Sequence, residues 1–276
     1  MTRTIEEENF PVKNLVDKNK RFIVETYYMA AREADDIADA IGFSDNEKNI
    51  KLEKIEQDFF EAKSEGVAAK LGRVFKQENL DSSLYTDLLI AFRKDCNNFK
   101  PQIWEQLLEY CRYSAAPVGR FILALYNESP TTYLPAETLC MVLQLINILQ
   151  DIKFDICKLR RCYIPQELLD EFAVYETDFC LQQSSPQVKA LITEILKRLK
   201  AMLDDAAILI PIIKKPRLRT EVCVIFSLTN CMLKKINKSD VIAQKIKLNK
   251  IDWIKAIILG WSKSLFVRTK TCRIIK

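Results

Sequence analysis

Apolar residues recur along most of this chain at the three-and-four spacing that gathers them on one face of a helix, and Pro or small polar clusters interrupt them. The pattern predicts helices over roughly 15–40, 47–63, 67–76, 81–95, 101–126, 135–157, 187–210, 217–236 and 250–265. The breakers are SPTTYLP (129–135), QQSSPQ (182–187) and KKPR (214–217). No alternating strand pattern or internal repeat competes with this reading. The expected fold is all-α, a single domain over 1–276, with a central cavity between facing helices where a metal or ligand site would be built.

Two acidic clusters break the apolar pattern of these helices. Asp35, Asp36 and Asp39 lie in ADDIADA, and Asp151 and Asp155 in NILQDIKFD. Residues four apart share a helix face, so Asp35/Asp39 and Asp151/Asp155 each project two carboxylates roughly 6 Å apart along the axis. Either cluster alone reads equally as a solvated helix face. Their surroundings point inward instead: YYMAAREADDIADAIG is rich in Ala and Met before its acids, and VLQLINILQDIKFD is apolar for most of two turns before its first Asp. Five carboxylates facing one cleft would repel one another unless a cation neutralised them. Mg²⁺ is the expected cofactor, because it takes oxygen ligands and bridges carboxylates to substrate phosphates. The substrate is then expected to carry phosphate, and an apolar cavity beneath the acids suggests a prenyl diphosphate.

Composition narrows the chemistry. The 276 residues are 49% hydrophobic and 29% charged, long enough to bury a substantial core. No apolar stretch reaches the length of a membrane span, and MTRTIEEENFPV has neither the apolar segment of a signal peptide nor the basic character of a transit peptide. A cytoplasmic location is expected. Nine cysteines without a CxxC pair fit buried free thiols better than a disulfide framework or a zinc finger. The chain has no histidine, which removes Ser-His-Asp and Cys-His catalysis. Five scattered glycines cannot assemble a GxGxxG or P-loop, so a diphosphate must be held by metal, Lys and Arg.

Charge is unevenly placed. Residues 231–276 hold 12 Lys+Arg against 2 Asp+Glu, although the whole chain is only +5. The basic tail, about 250–276, reads as a helix whose Trp253, Ile254, Ile257, Ile258 and Trp261 lie either against the core or against an anionic membrane surface. No recognition motif accompanies the charge, so nucleic acid is not an expected partner.

Several segments, in order, resemble the squalene/phytoene synthase family of the isoprenoid synthase fold. The resemblance runs from about residue 8 to about 260. Within the family, ENFPV (8–12), ARxADDIAD (31–39), YCRYSAAPVGR (110–120) and LQLINILQD (143–151) look like the hydroxysqualene synthase branch of bacterial hopanoid pathways. That branch converts presqualene diphosphate to hydroxysqualene with loss of diphosphate and capture of water, and it works among partner enzymes of squalene and hopanoid biosynthesis. The resemblance implies metal-binding roles for Asp35, Asp36, Asp39, Asn147, Asp151 and Asp155. It implies diphosphate contacts for Arg32, Gln144, Arg120 and Arg161, and active-site roles for Tyr28 and Tyr113. For Arg32 the alternative is an intrahelical ion pair with Asp35 or Asp36. KLRRCYIP departs from the family's KGRxYLP: Arg160 stands where Gly is expected, and one extra residue separates Asp155 from Arg161. The helix end there must be rebuilt, with a new register for Lys158, Arg160 and Arg161. Alternatives with the same resemblance are a synthase joining two prenyl diphosphates into presqualene diphosphate or phytoene, and a helical scaffold without catalysis.

Overall fold

The computed structural model describes residues 17–274, so ENFPV at 8–12 lies outside the described residues. In chain order the helices are α1 (Arg21–Asp39), α2 (Asp45–Glu61), α3 (Val67–Glu78), α4 (Ser83–Cys96), α5 (Trp104–Ser114), α6 (Ala116–Leu125) and α7 (Tyr133–Phe154). After a π-helical turn over Asp155–Leu159 come α8 (Gln166–Glu171), α9 (Pro186–Ala206), α10 (Leu209–Ile212), α11 (Pro216–Lys238) and α12 (Lys250–Ile274). Among the described residues no strand forms, as the period of the apolar positions requires.

Local chemistry sets these boundaries. Ser44 caps α2 in a reciprocal box: its hydroxyl accepts from Glu47 N at 3.3 Å, and the Glu47 carboxylate accepts from Ser44 N at 2.8 Å. The single helix expected over 101–126 is two, because Ala115 leaves helical geometry at φ −135° immediately before α6. Pro117 explains the break, since proline lacks an N–H and is at home only in a helix's first turn. The helix expected over 187–210 likewise ends at Ala206, and α8 was not anticipated at all. A six-residue helix is too short to impose a visible period.

Two apolar clusters organise the chain. In the first, α1 presents Val24, Tyr27, Ala30, Ala34 and Ala38 toward α3 and α4, and the three alanines are fully buried. Small residues on that stripe bring the helices close, as Gly72 does between α2 and α3, where a Cβ would fall 1.9 Å from the Phe59 carbonyl oxygen. In the second cluster α7 runs through the middle and packs on α5, α6 and α9. By length and composition α7 is apolar enough to cross a membrane, but more than half of that stretch is buried in the protein core. Phe121 of α6 joins the α1 side, its ring stacked 3.9 Å from that of Tyr27.

Candidate active site

The alanine stripe of α1 faces the core, so Asp35, Asp36 and Asp39 emerge on its flank, half-buried. Arg32 lies one turn earlier and reaches two of them: Nη1 is 3.1 Å from Asp35 Oδ2 and Nη2 is 2.8 Å from Asp36 Oδ1. The intrahelical ion pair offered as the alternative for Arg32 is therefore present. It leaves Arg32 Nε buried with no partner, a donor directed at something other than the helix's own acids. Burial, and then the neighbouring Asp39, push the pKa of Asp35 up to about 7, against the pull of Arg32. Tyr28 stands one turn before Arg32 and is half-buried.

The second motif sits on the core helix α7. Its neighbours Leu145, Ile146, Ile148, Leu149 and Ile152 are buried, whereas Gln144 and Asp151 are partly accessible and Asn147 is exposed. These three are separated by three and four residues and therefore mark one open polar line along an otherwise enclosed helix. Asp155 begins the π-helical turn. A π turn holds one residue more than an α turn and here absorbs the extra residue between Asp155 and Arg161. Arg160 takes the left-handed conformation that glycine would take, at φ 57° and ψ 32°. The rebuilt helix end delivers Arg161 inward: its backbone N–H donates to Asp155 O at 2.9 Å, Nη1 to Asp39 Oδ1 at 2.5 Å, and Nη2 to Ala38 O at 2.7 Å. Arg161 thus ties the ends of both acidic helices together.

The same turn corrects the expectation that all cysteines are free thiols. Cys157 is disulfide-bonded to Cys180, 23 residues on, because the π turn packs against the 3₁₀ segment Glu176–Cys180. Cys96, Cys111, Cys140, Cys162, Cys223 and Cys231 are free.

Two site residues escaped the sequence reading. Lys245, in the connection between α11 and α12, forms an ion pair with Asp151 across 94 residues. Asp95 of α4 is buried and accepts from Tyr110 Oη at 2.9 Å and Tyr163 Oη at 2.7 Å, behind Arg161. Burial pushes its pKa up to about 6, against the pull of Arg161 and the two phenols. Asp95 follows Leu84, Leu88 and Ala91 at helical spacing, so an acid in a core position was its visible signal. Nothing local marks Lys245.

Two further expected residues, Arg120 and Tyr113, have neighbours of their own. Arg120 lies between Asp87, 2.8 Å from Nη2, and Glu137, 3.3 Å from Nε, so its charge is matched among α4, α6 and α7. Tyr113 packs at the edge of the second cluster with the Lys94 ammonium 5.3 Å from its ring centroid. A cleft of about 340 Å³ lined by Phe59, Phe60, Phe75 and Lys76 lies between α2 and α3, away from the acids.

The five carboxylates do not form a closed cage. Among the described residues no three acidic or thiol groups approach closely enough to hold a metal ion by themselves. The arrangement does fit Mg²⁺ bound together with a diphosphate. It offers hard oxygen donors on two helices, a crowded carboxyl at Asp35, and a buried guanidinium nitrogen without a partner beside it.

Known proteins resemble this chain in sequence and in fold. Residues 6–252 match the squalene/phytoene synthase family. The chain is 31% identical to a hydroxysqualene synthase of Rhodopseudomonas palustris, over 97% of this chain and 92% of that protein. It is also 31% identical to a hydroxysqualene synthase of Zymomonas mobilis subsp. mobilis, over 95% and 89%. Among solved structures, a dehydrosqualene synthase in complex with ligand superposes with a TM-score of 0.81 at 25% identity, covering 94% of this chain and 93% of that one. The squalene synthase HpnC of Alicyclobacillus acidocaldarius gives 0.73 at 25% identity, covering 82% and 86%.

Proposed function

The chain belongs to the squalene/phytoene synthase family, and within it we propose that this enzyme converts presqualene diphosphate to hydroxysqualene with release of diphosphate. The observation that carries the proposal is the pair of accessible acidic lines at the ends of α1 and α7, bridged by Arg161. The names of the relatives that match nearly the whole chain support the choice of product.

In this reading Asp35, Asp36 and Asp39 on one side, and Asn147, Asp151 and Asp155 on the other, hold Mg²⁺. When bound, the ion supplies positive charge to the departing diphosphate oxygens. Arg32 and Gln144 orient the diphosphate, and the unpartnered Arg32 Nε is the donor best placed to do so. Arg161 and Lys245 hold Asp39 and Asp151 in place, and each exchanges part of that pairing for phosphate oxygens when substrate enters. The carbon–oxygen bond to diphosphate breaks, leaving a cyclopropylcarbinyl cation that rearranges in an apolar surround. The ring faces of Tyr28 and Tyr113 stabilise it. Water then adds to the cationic carbon and a proton is lost, so no reductant is consumed. We place the enzyme in the cytoplasm, among partner enzymes that make and use squalene-type lipids.

The likeness to a dehydrosqualene synthase favours a second reading, a prenyltransferase joining two prenyl diphosphates on the same site. Incubation of purified protein with presqualene diphosphate and Mg²⁺, without reductant, separates the two. Hydroxysqualene in the lipid extract, abolished by EDTA, is the expected result. Product only from simple prenyl diphosphates would replace the first reading with the second.

A further inference from the structure

The last helix has two faces of opposite character. Its inner face is narrow and docks on α11 through Trp253, Ala256, Gly260 and Ser264. A Cβ on Gly260 would lie 2.6 Å from Val224 Cγ2 and 2.7 Å from Val224 N, so the two helices meet at backbone distance. Thr220 Oγ1 and Ser264 Oγ are 2.8 Å apart, and Asp252 pairs with Lys235. These contacts fix the rotation of α12 about its axis.

That rotation turns Ile251, Ile254, Ile258, Trp261 and Leu265 outward. Their spacing of three and four places them within about 80° of one another on the helix. Each is between 57% and 63% exposed. Among the described residues, eight of the 21 exposed large apolar side chains lie between Ile251 and Phe266, whereas the other 13 are scattered over the rest of the surface. An apolar patch of this concentration on a protein surface marks a contact.

We propose that the outer face of α12 is the docking surface for an anionic membrane. Charge selects this partner. Lys250 and Lys255 flank the stripe, and the only acid between residues 250 and 266, Asp252, is already paired with Lys235. A second copy of the helix on the same face would set lysine against lysine with no acid to answer it. A lipid surface with negative headgroups accepts both the Ile/Trp stripe and the flanking lysines, which is the composition of a helix lying in the interface plane. The inference rests on the surface of α12 alone and stands or falls independently of the proposed reaction.

The test is co-sedimentation with vesicles of phosphatidylcholine alone and of phosphatidylcholine mixed with phosphatidylglycerol, together with light scattering of the free protein. The wild-type chain is expected to bind the anionic vesicles, more weakly as salt rises, and the double variant I258E/W261E to bind them at least about tenfold less. The double variant must keep the wild-type circular dichroism and melting temperature; should it unfold, the charge variant K250Q/K255Q, expected to lose the preference for anionic lipid, replaces it. Absence of wild-type binding, equal binding by folded I258E/W261E, or a wild-type dimer that this variant converts to monomer would overturn the assignment.

Discussion

The two acidic motifs solve the same electrostatic problem by different means. On α1 the solution is local: Arg32 reaches Asp35 and Asp36 within a single turn, and the crowding that remains appears as the raised pKa of Asp35. On α7 the solution is imported. Asp151 is answered by Lys245 from the far side of the chain, and Asp155 opens a π turn that is pinned by Cys157–Cys180. Arg161 touches both, by side chain at Asp39 and by backbone at Asp155. A motif carried by one helix tolerates change elsewhere, whereas one assembled from three distant segments depends on all of them.

That difference can be broken from either side. The largest effect is expected for Asp35→Asn and Asp151→Asn, each lowering turnover by about 10²–10³-fold, a size typical of removing one group that stabilises the leaving charge. Circular dichroism should be unchanged, since the Asp35 pair lies within one helix and the partly exposed Asp151–Lys245 pair adds little to stability. Next, the double variant C157S/C180S opens a 23-residue loop and should lose about 3 kcal/mol of stability by the chain-entropy account, read from denaturant melts. It should also slow turnover, whereas Asp35 and Asp36 keep their partner Arg32 within α1. Lys245→Gln is expected to lower kcat/KM by about tenfold with little change in melting temperature, because the pair is partly exposed and adds little to stability. Arg160→Gly relieves a left-handed non-glycine residue and should raise stability by about 1 kcal/mol with activity retained.

The smallest effect sharpens the region behind the bridge. Burial raises the pKa of Asp95 in the folded protein to about 6, above the ordinary carboxylate value. The folded state therefore binds the proton more tightly, and Asp95 contributes a loss of stability as pH rises from about 4 to about 6. Asp95→Asn should flatten the melting temperature over that window while leaving the slope outside it unchanged.

What the sequence made legible follows the same division. The acids are set by helical spacing, whereas Arg32, Asn147 and Gln144 came from the resemblance to family motifs. The break at Ala115 was also written in the chain, in Pro117, but the apolar period across it is continuous enough to read as one helix. The extra residue before Arg161 was visible, yet its resolution was not. Either a loop or a π turn accommodates an insertion, and packing of Cys157 against Cys180 decides between them. Asp95 required treating an acid at a core position as information. Lys245 and the Asp87–Arg120–Glu137 cluster depend on long-range docking, which no local pattern encodes.

The central claim is that the motifs of α1 and α7 act as one site for a metal-bound diphosphate. Calorimetric titration of the protein with inorganic diphosphate, with and without Mg²⁺, tests it most directly. The account predicts that each ligand strengthens binding of the other and that this coupling disappears equally in Asp35→Asn and Asp151→Asn. Diphosphate binding that ignores Mg²⁺, or coupling that survives loss of either aspartate, would contradict it.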